Sequence, residues 1–212
     1  MHFDILDRKR VKILPKLKFL REFGFYLGGG TALALQIRHR ISRDFDFYTP
    51  DDFDPYVLSG KFIRVFKKIV PVHTAEGTLM VAVDNIEMSF FRYSYPLLRP
   101  LVKTEYVDLL SLEDIAAMKM IAIVQRGTKR DFIDIYCLLK NLSLERLFDL
   151  TRDKYKVFNK YIGLRALAYF NDAEKEKSGR GLTTFEKVGW DKIKKRIIDL
   201  VDKYRKEELL EK

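Results

Sequence analysis

The sequence predicts an α+β fold (mixed α/β), with a core sheet and its helices in the first half and a helical carboxyl-terminal region. Three observations predict it. Alternating or apolar runs fall at residues 44–48, 78–83 and 86–91, and short runs of this kind are strand signals. Between residues 25–27, which are apolar, and the helix formers of residues 32–37 stands Gly28-Gly29-Gly30, giving the order strand, glycine turn, helix. Beyond Pro100 the apolar residues recur at helical spacing. The expected division is residues 1–105 for the core and 106–212 for the helical region, with the change of character near residues 100–111.

Taken in order, residues 11–23 mix apolar and basic positions as a surface helix would, with Pro15 near its start and Gly24 placed to end it. Residues 25–27 read as a short buried strand, and Thr31 as an N-cap or first-turn residue of the following helix. In 44–48, strict alternation sets Asp44 and Asp46 on one face and Phe45 and Phe47 on the other. Residues 62–69 form a basic amphipathic segment read as helical. The strands at 78–83 and 86–91 flank Asp84-Asn85, a tight hairpin turn. Ser111 with Asp114 three residues later resembles a capping box opening a helix at 112–125, which Gly127 ends. Further helical stretches are expected at 129–139, after Ser143, within 155–176 and at 190–200, the last running into a charged tail. Residues 177–181 read as an exposed loop.

Composition narrows the function. A chain of 212 residues, 47% hydrophobic and with 16 Phe, can bury a core. A net charge of +10 favours polyanionic partners. Cys137 is the only cysteine, which excludes an intrachain disulfide, and its apolar setting reads as buried packing. Three scattered histidines argue against structural zinc. No window approaches a membrane span and the amino terminus lacks the apolar stretch of a secretory signal, so a cytoplasmic protein without membrane contact is expected.

Two carboxylates side by side on one strand face repel each other unless a cation lies between them, and a divalent ion would give both a reason to be there. An edge strand turning two acids to water reads the same way in sequence. The glycine turn adds weight, because glycines allow a phosphate chain to approach the backbone and the helix that follows aims N–H groups at an anion. The spacing fits neither a dinucleotide fingerprint nor a Walker loop. Glu87 is the candidate third metal acid, with Val83, Asn85 and Ser89 nominally on its side, and Asp84 is its rival. Lys119, among small and apolar residues, can contact triphosphate or snorkel from a helix edge. Asp131 and Asp134 share a helical face, within reach of Arg126, Lys129 and Arg130 as a salt-bridge patch.

The combination resembles the AbiEii/AbiGii toxin-like nucleotidyltransferase family, within the polymerase-beta-like nucleotidyltransferase superfamily. It rests on Gly29-Gly-Thr-Ala-Leu33, on His39-Arg-x-Ser42-Arg-Asp-Phe-Asp46, and on Met118-Lys119 with Arg126 and Lys129-Arg-Asp131-x-x-Asp134. The resemblance implies a nucleotidyltransferase-like core and transfer of a nucleoside monophosphate from an NTP to a hydroxyl acceptor, with pyrophosphate leaving. It implies that Gly29, Gly30 and Thr31 form the phosphate-binding turn, flanked by Ser42 and Arg43, and that Asp44 and Asp46 hold Mg2+, or Mn2+ in its place. Lys119 matches the family's motif lysine, and Asp131 or Asp134 its later catalytic acid. RNA or the end of tRNA is the implied acceptor, and a cognate antitoxin an implied partner. The competing expectations are a catalytically weak nucleotide or RNA binder using Lys61, Arg64, Lys67 and Lys68, a segment without an aromatic ladder, and a component acting mainly through antitoxin contacts of its carboxyl-terminal helices.

Overall fold

The computed structural model describes residues 1–176 and 182–210, so the loop expected at 177–181 lies outside the described residues. The chain divides into two compact units, Met1–Ser111 and Leu112–Lys212. The fold is mixed α/β, with a central sheet, helices and a long final helix.

In the first unit β1 (Tyr26–Leu27), β2 (Phe45–Thr49), β3 (Ile69–Ala75), β4 (Thr78–Val83) and β5 (Ile86–Arg92) form one five-stranded sheet in the order β1-β2-β5-β4-β3. β2 and β5 are parallel, and every other neighbouring pair is antiparallel. The alternation of β2 appears as burial: Phe45, Phe47 and Thr49 face inward while Asp46 and Tyr48 are partly exposed. Phe47 stacks on Phe90 with centroids 5.1 Å apart, and Phe25 and Phe62 close on Phe90 at 5.3 and 5.2 Å. Each such ring contributes about 1.5–3 kcal/mol by leaving water, so this cluster decides which face of the sheet is covered. The opposite face carries the acids.

The helices of this unit are α1 (Arg8–Ile13), α2 (Gly29–Ile37) and α3 (Pro55–Val65). The helix expected at 11–23 is instead α1 followed by a 3-10 stretch, Leu14–Phe23. Pro15 supplies no N–H and its ring opposes a continuing α-helix. Gly24 ends the stretch at φ 67°. The helix expected at 62–69 starts earlier, because Asp54 accepts from the amides of Tyr56 and Val57 and Pro55 takes the first turn. It stops at Val65, and Ile69 opens a strand the sequence reading missed. That strand, β3, lies at the sheet edge, where Pro71 is tolerated beside a register shift. At the β4–β5 turn Asp84 and Asn85 adopt φ 50° and 64°, the left-handed pair a tight hairpin needs. The turn pairs Val83 with Ile86, which moves Val83 to the covered face, away from Glu87.

The second unit comprises α4 (Leu112–Gln125), α5 (Lys129–Leu138), α6 (Leu144–Lys154), α7 (Lys160–Leu167), α8 (Asn171–Lys175) and α9 (Trp190–Leu210). Thr128, Ser143 and Asn159 cap α5, α6 and α7 through their side chains. Gly127 follows α4 at φ 50°. The stretch expected at 155–176 splits into α7 and α8, and α9 runs on from 200 to Leu210. Asp114, expected as a capping acid, is fully buried and accepts from Lys154 Nζ at 2.7 Å. Among the described residues no helix is long and apolar enough to cross a membrane.

Candidate active site

The glycine turn and the β2 acids are one structure. Gly28 caps α2, its N–H donating to the Asp46 carbonyl at 2.9 Å while its own carbonyl receives Ala32 N–H. Gly29 sits at φ 63°, and a Cβ there would come within 2.9 Å of Asp46 Oδ2. Only glycine allows both that backbone and that carboxylate. A Cβ on Gly30 would lie 2.2 Å from Arg40 Nη2 and 3.3 Å from Ser42 Oγ, so the buried Arg40 guanidinium rests directly on the turn.

Thr31 is a first-turn residue, not the N-cap. Its hydroxyl donates to the Asp44 carbonyl and lies 2.9 Å from Ser42 Oγ, which ties the 42–44 segment to the start of α2. From the other side Arg10 Nε donates to the Arg43 carbonyl at 2.7 Å. The Asp44 and Arg43 side chains are exposed and Asp46 is half-buried. The parallel register sets Asp46 opposite Ser89 and Phe45 opposite Met88, so Glu87, exposed, occupies the same sheet face one step beyond Ser89 toward Asp44. Among the described residues no group of three His, Cys, Asp or Glu side chains is gathered closely enough to hold a metal. The donor set nevertheless fits magnesium, which commonly binds one or two carboxylates and completes its octahedron with water and phosphate oxygens.

The second unit holds its predicted residues in a different state. Lys119 Nζ meets Asp131 at 3.1 Å and Asp134 at 2.6 Å, all three buried. It does not snorkel. Arg126 adds a two-pronged bond to Asp131, at 2.8 and 3.0 Å, and the Thr128 hydroxyl donates to the same carboxylate at 2.6 Å. Burial pushes the Asp131 carboxyl up, but the bond from Arg126, the Lys119 charge and Thr128 outweigh it and hold the group at about 2. Arg126 is thus one of the partners that the sequence offered to these acids. The arginine missed as a site residue is Arg40, which the sequence shows as a member of the motif beginning at His39 but without a role.

The fold is of the nucleotidyltransferase kind. Residues 22–212 match the family described as nucleotidyl transferase AbiEii toxin, type IV TA system, and the chain belongs to that family. The protein aq_aa25 of Aquifex aeolicus (strain VF5) is 38% identical over 158 residues, covering 72% of this chain and 76% of its own. MenT4, a nucleotidyltransferase toxin of Mycobacterium tuberculosis H37Rv, superposes with a TM-score of 0.54 at 15% identity, over 90% of this chain and 80% of MenT4. JHP933 of Helicobacter pylori does so with a TM-score of 0.50 at 15% identity, over 98% and 100% of the two chains. At such identities these structures show the shared fold alone.

Proposed function

We propose that the protein transfers a nucleoside monophosphate from an NTP to a hydroxyl acceptor, RNA or a tRNA end, in the cytoplasm. The acceptor oxygen forms a bond to the α-phosphorus, the bond from that phosphorus to the β-phosphate bridging oxygen breaks, and pyrophosphate leaves as the acceptor loses its proton. The observation that carries this reading is the Asp46 carboxylate held against Gly29 at the mouth of α2, where a phosphate chain and an acid-bound cation would meet.

In this reading Asp44 and Asp46 hold Mg2+ or Mn2+, with Glu87 on the same face as the further acid. Bound there, the ion would neutralise triphosphate charge and ease loss of the acceptor proton. The N–H groups of Gly29 and Gly30 face the phosphates, Thr31 serves the same turn from its buried side by holding the Asp44 carbonyl, and Ser42 and Arg43 flank the phosphates. Arg40, beneath the turn, keeps Gly30 in place. Lys119, Asp131 and Asp134 carry the family's later motif roles. A carboxyl held near 2 is a poor proton acceptor at neutral pH, so Asp131 suits fixing Lys119 better than acting as a base. The family's type IV toxin description supports a cognate antitoxin as partner.

The test incubates purified protein with each labelled NTP, Mg2+ or Mn2+ and total cellular RNA, and follows label into acceptor. Folded Asp46→Asn is expected to lose more than about a hundredfold of the transfer, beyond the 10–100-fold typical of a residue that only supports a metal ligand. Undiminished turnover in that variant removes the assignment. NTP binding without transfer, across both metals, favours the weak-binder reading.

A further inference from the structure

The open face of the sheet carries more than acids. Along β5 and its continuation, Glu87, Ser89, Phe91, Tyr93 and Tyr95 fall at alternate positions, so they follow one another on one side about 7 Å apart, while Met88 and Phe90 are buried on the other. The pairing continues past the strand, since Tyr93 N–H donates to the Thr49 carbonyl at 2.7 Å. The register sets Phe91 beside Tyr48, two residues from Asp46 on the same face of β2. The rings touch in sequence: Tyr48 to Phe91 at 5.7 Å, Tyr48 to Tyr93 at 5.2 Å and Tyr93 to Tyr95 at 4.9 Å. Their planes are inclined by 33°, 64° and 54°, so none of these pairs is stacked ring face to ring face. Phe91 and Tyr93 are half-buried, and Tyr95 is 47% exposed. An aromatic row at the surface is out of keeping with a face that only exposes acids to water. The basic segment at residues 61–68 has no such ladder, but this face does.

We propose that Phe91, Tyr93 and Tyr95, with Tyr48, form a base-stacking row for a single-stranded polynucleotide acceptor whose terminal hydroxyl reaches Asp44 and Asp46. The inference rests on the transfer reading and extends it by naming the surface along which the acceptor lies. Sheet-face aromatics stack bases without regard to sequence because every base has a π-face. The charge agrees: the chain carries +10, which favours a polyanionic ligand, although within this stretch Arg92 is paired with Asp52 at 2.8 Å and alternates to the side away from the row. A polynucleotide backbone is attracted to a chain of this net charge, while its uncharged terminal hydroxyl is the part that can approach the acids.

The experiment is binding of a fluorescently labelled single-stranded RNA oligonucleotide to the full chain, followed by anisotropy without NTP. The variants are Tyr93→Ala/Tyr95→Ala and Tyr93→Phe/Tyr95→Phe. Loss of the rings is expected to raise Kd about tenfold or more, whereas the Phe pair, which keeps them, stays within about twofold. Wild-type affinity in the Ala pair with its melting temperature preserved overturns the proposal, as does equal loss in the Phe pair. Oligonucleotide failing to bind while a protein partner covers the row overturns it as well. Row-dependent RNA binding with no label transfer by the parent supports the surface and counts against the transfer reading, so the two fail separately.

Discussion

The carboxylates beside the glycine turn and those buried among the carboxyl-terminal helices sit in opposite environments. Asp44 is exposed and Asp46 half-buried on an open strand face, whereas Asp114, Asp131 and Asp134 are at most 1% exposed and each meets a lysine. Where water is excluded, an acid is tolerated only if a cation is built in beside it. Where water reaches, solvent itself stabilises the charge. The difference is one of burial, which sequence patterns do not report.

The largest effect expected from breaking that contrast is at Lys154. Its pair with Asp114 has both side chains fully buried, so Lys154→Met strands a charge and should cost about 3–5 kcal/mol in chemical denaturation. The double change Lys154→Met/Asp114→Leu should recover most of it. A single variant as stable as the parent would mean that the pair is not buried.

Next comes Asp131. Its folded pKa of about 2 lies below its ordinary 3.8, a depressed carboxyl that contributes about 2 kcal/mol of stability. That contribution is complete above about pH 4 and disappears as pH falls toward 2. Denaturation midpoints measured from pH 5 to pH 2 should therefore fall for the parent, and Asp131→Asn should be less stable at pH 5 with a flatter acid limb.

The smallest effect sharpens the first unit. Thr31→Val removes the hydroxyl that holds the Asp44 carbonyl and should cost about 1 kcal/mol, with Thr31→Ser keeping most of it. Because Thr31 is buried on the scaffold side, transfer should also fall in Thr31→Val; equal transfer would show that the 42–44 segment needs no staple.

Much of this was legible in the sequence. The glycine turn, the alternating acids, the Asp84-Asn85 hairpin and α4 appear where local pattern places them, because period and turn chemistry act over a few residues. The 3-10 stretch after Ile13 and the edge strand β3 were not, since Pro15 and Pro71 each leave more than one local conformation open and neighbouring elements choose between them. The aromatic run after Ser89 was not read from the sequence, because its position beside Asp46 required the parallel pairing of β2 with β5.

By itself the sequence determined which residues had the chemistry: glycines that admit a carboxylate and a phosphate, acids two apart on a strand, a family motif spread along the chain. Only the tertiary structure decided which charges are solvent-exposed and which are buried in pairs, setting Asp46 against Gly29, Arg40 against Gly30 and Lys119 between Asp131 and Asp134. Strand register and burial arise from contacts distant in the chain, and it is burial that determines whether a charge needs a partner.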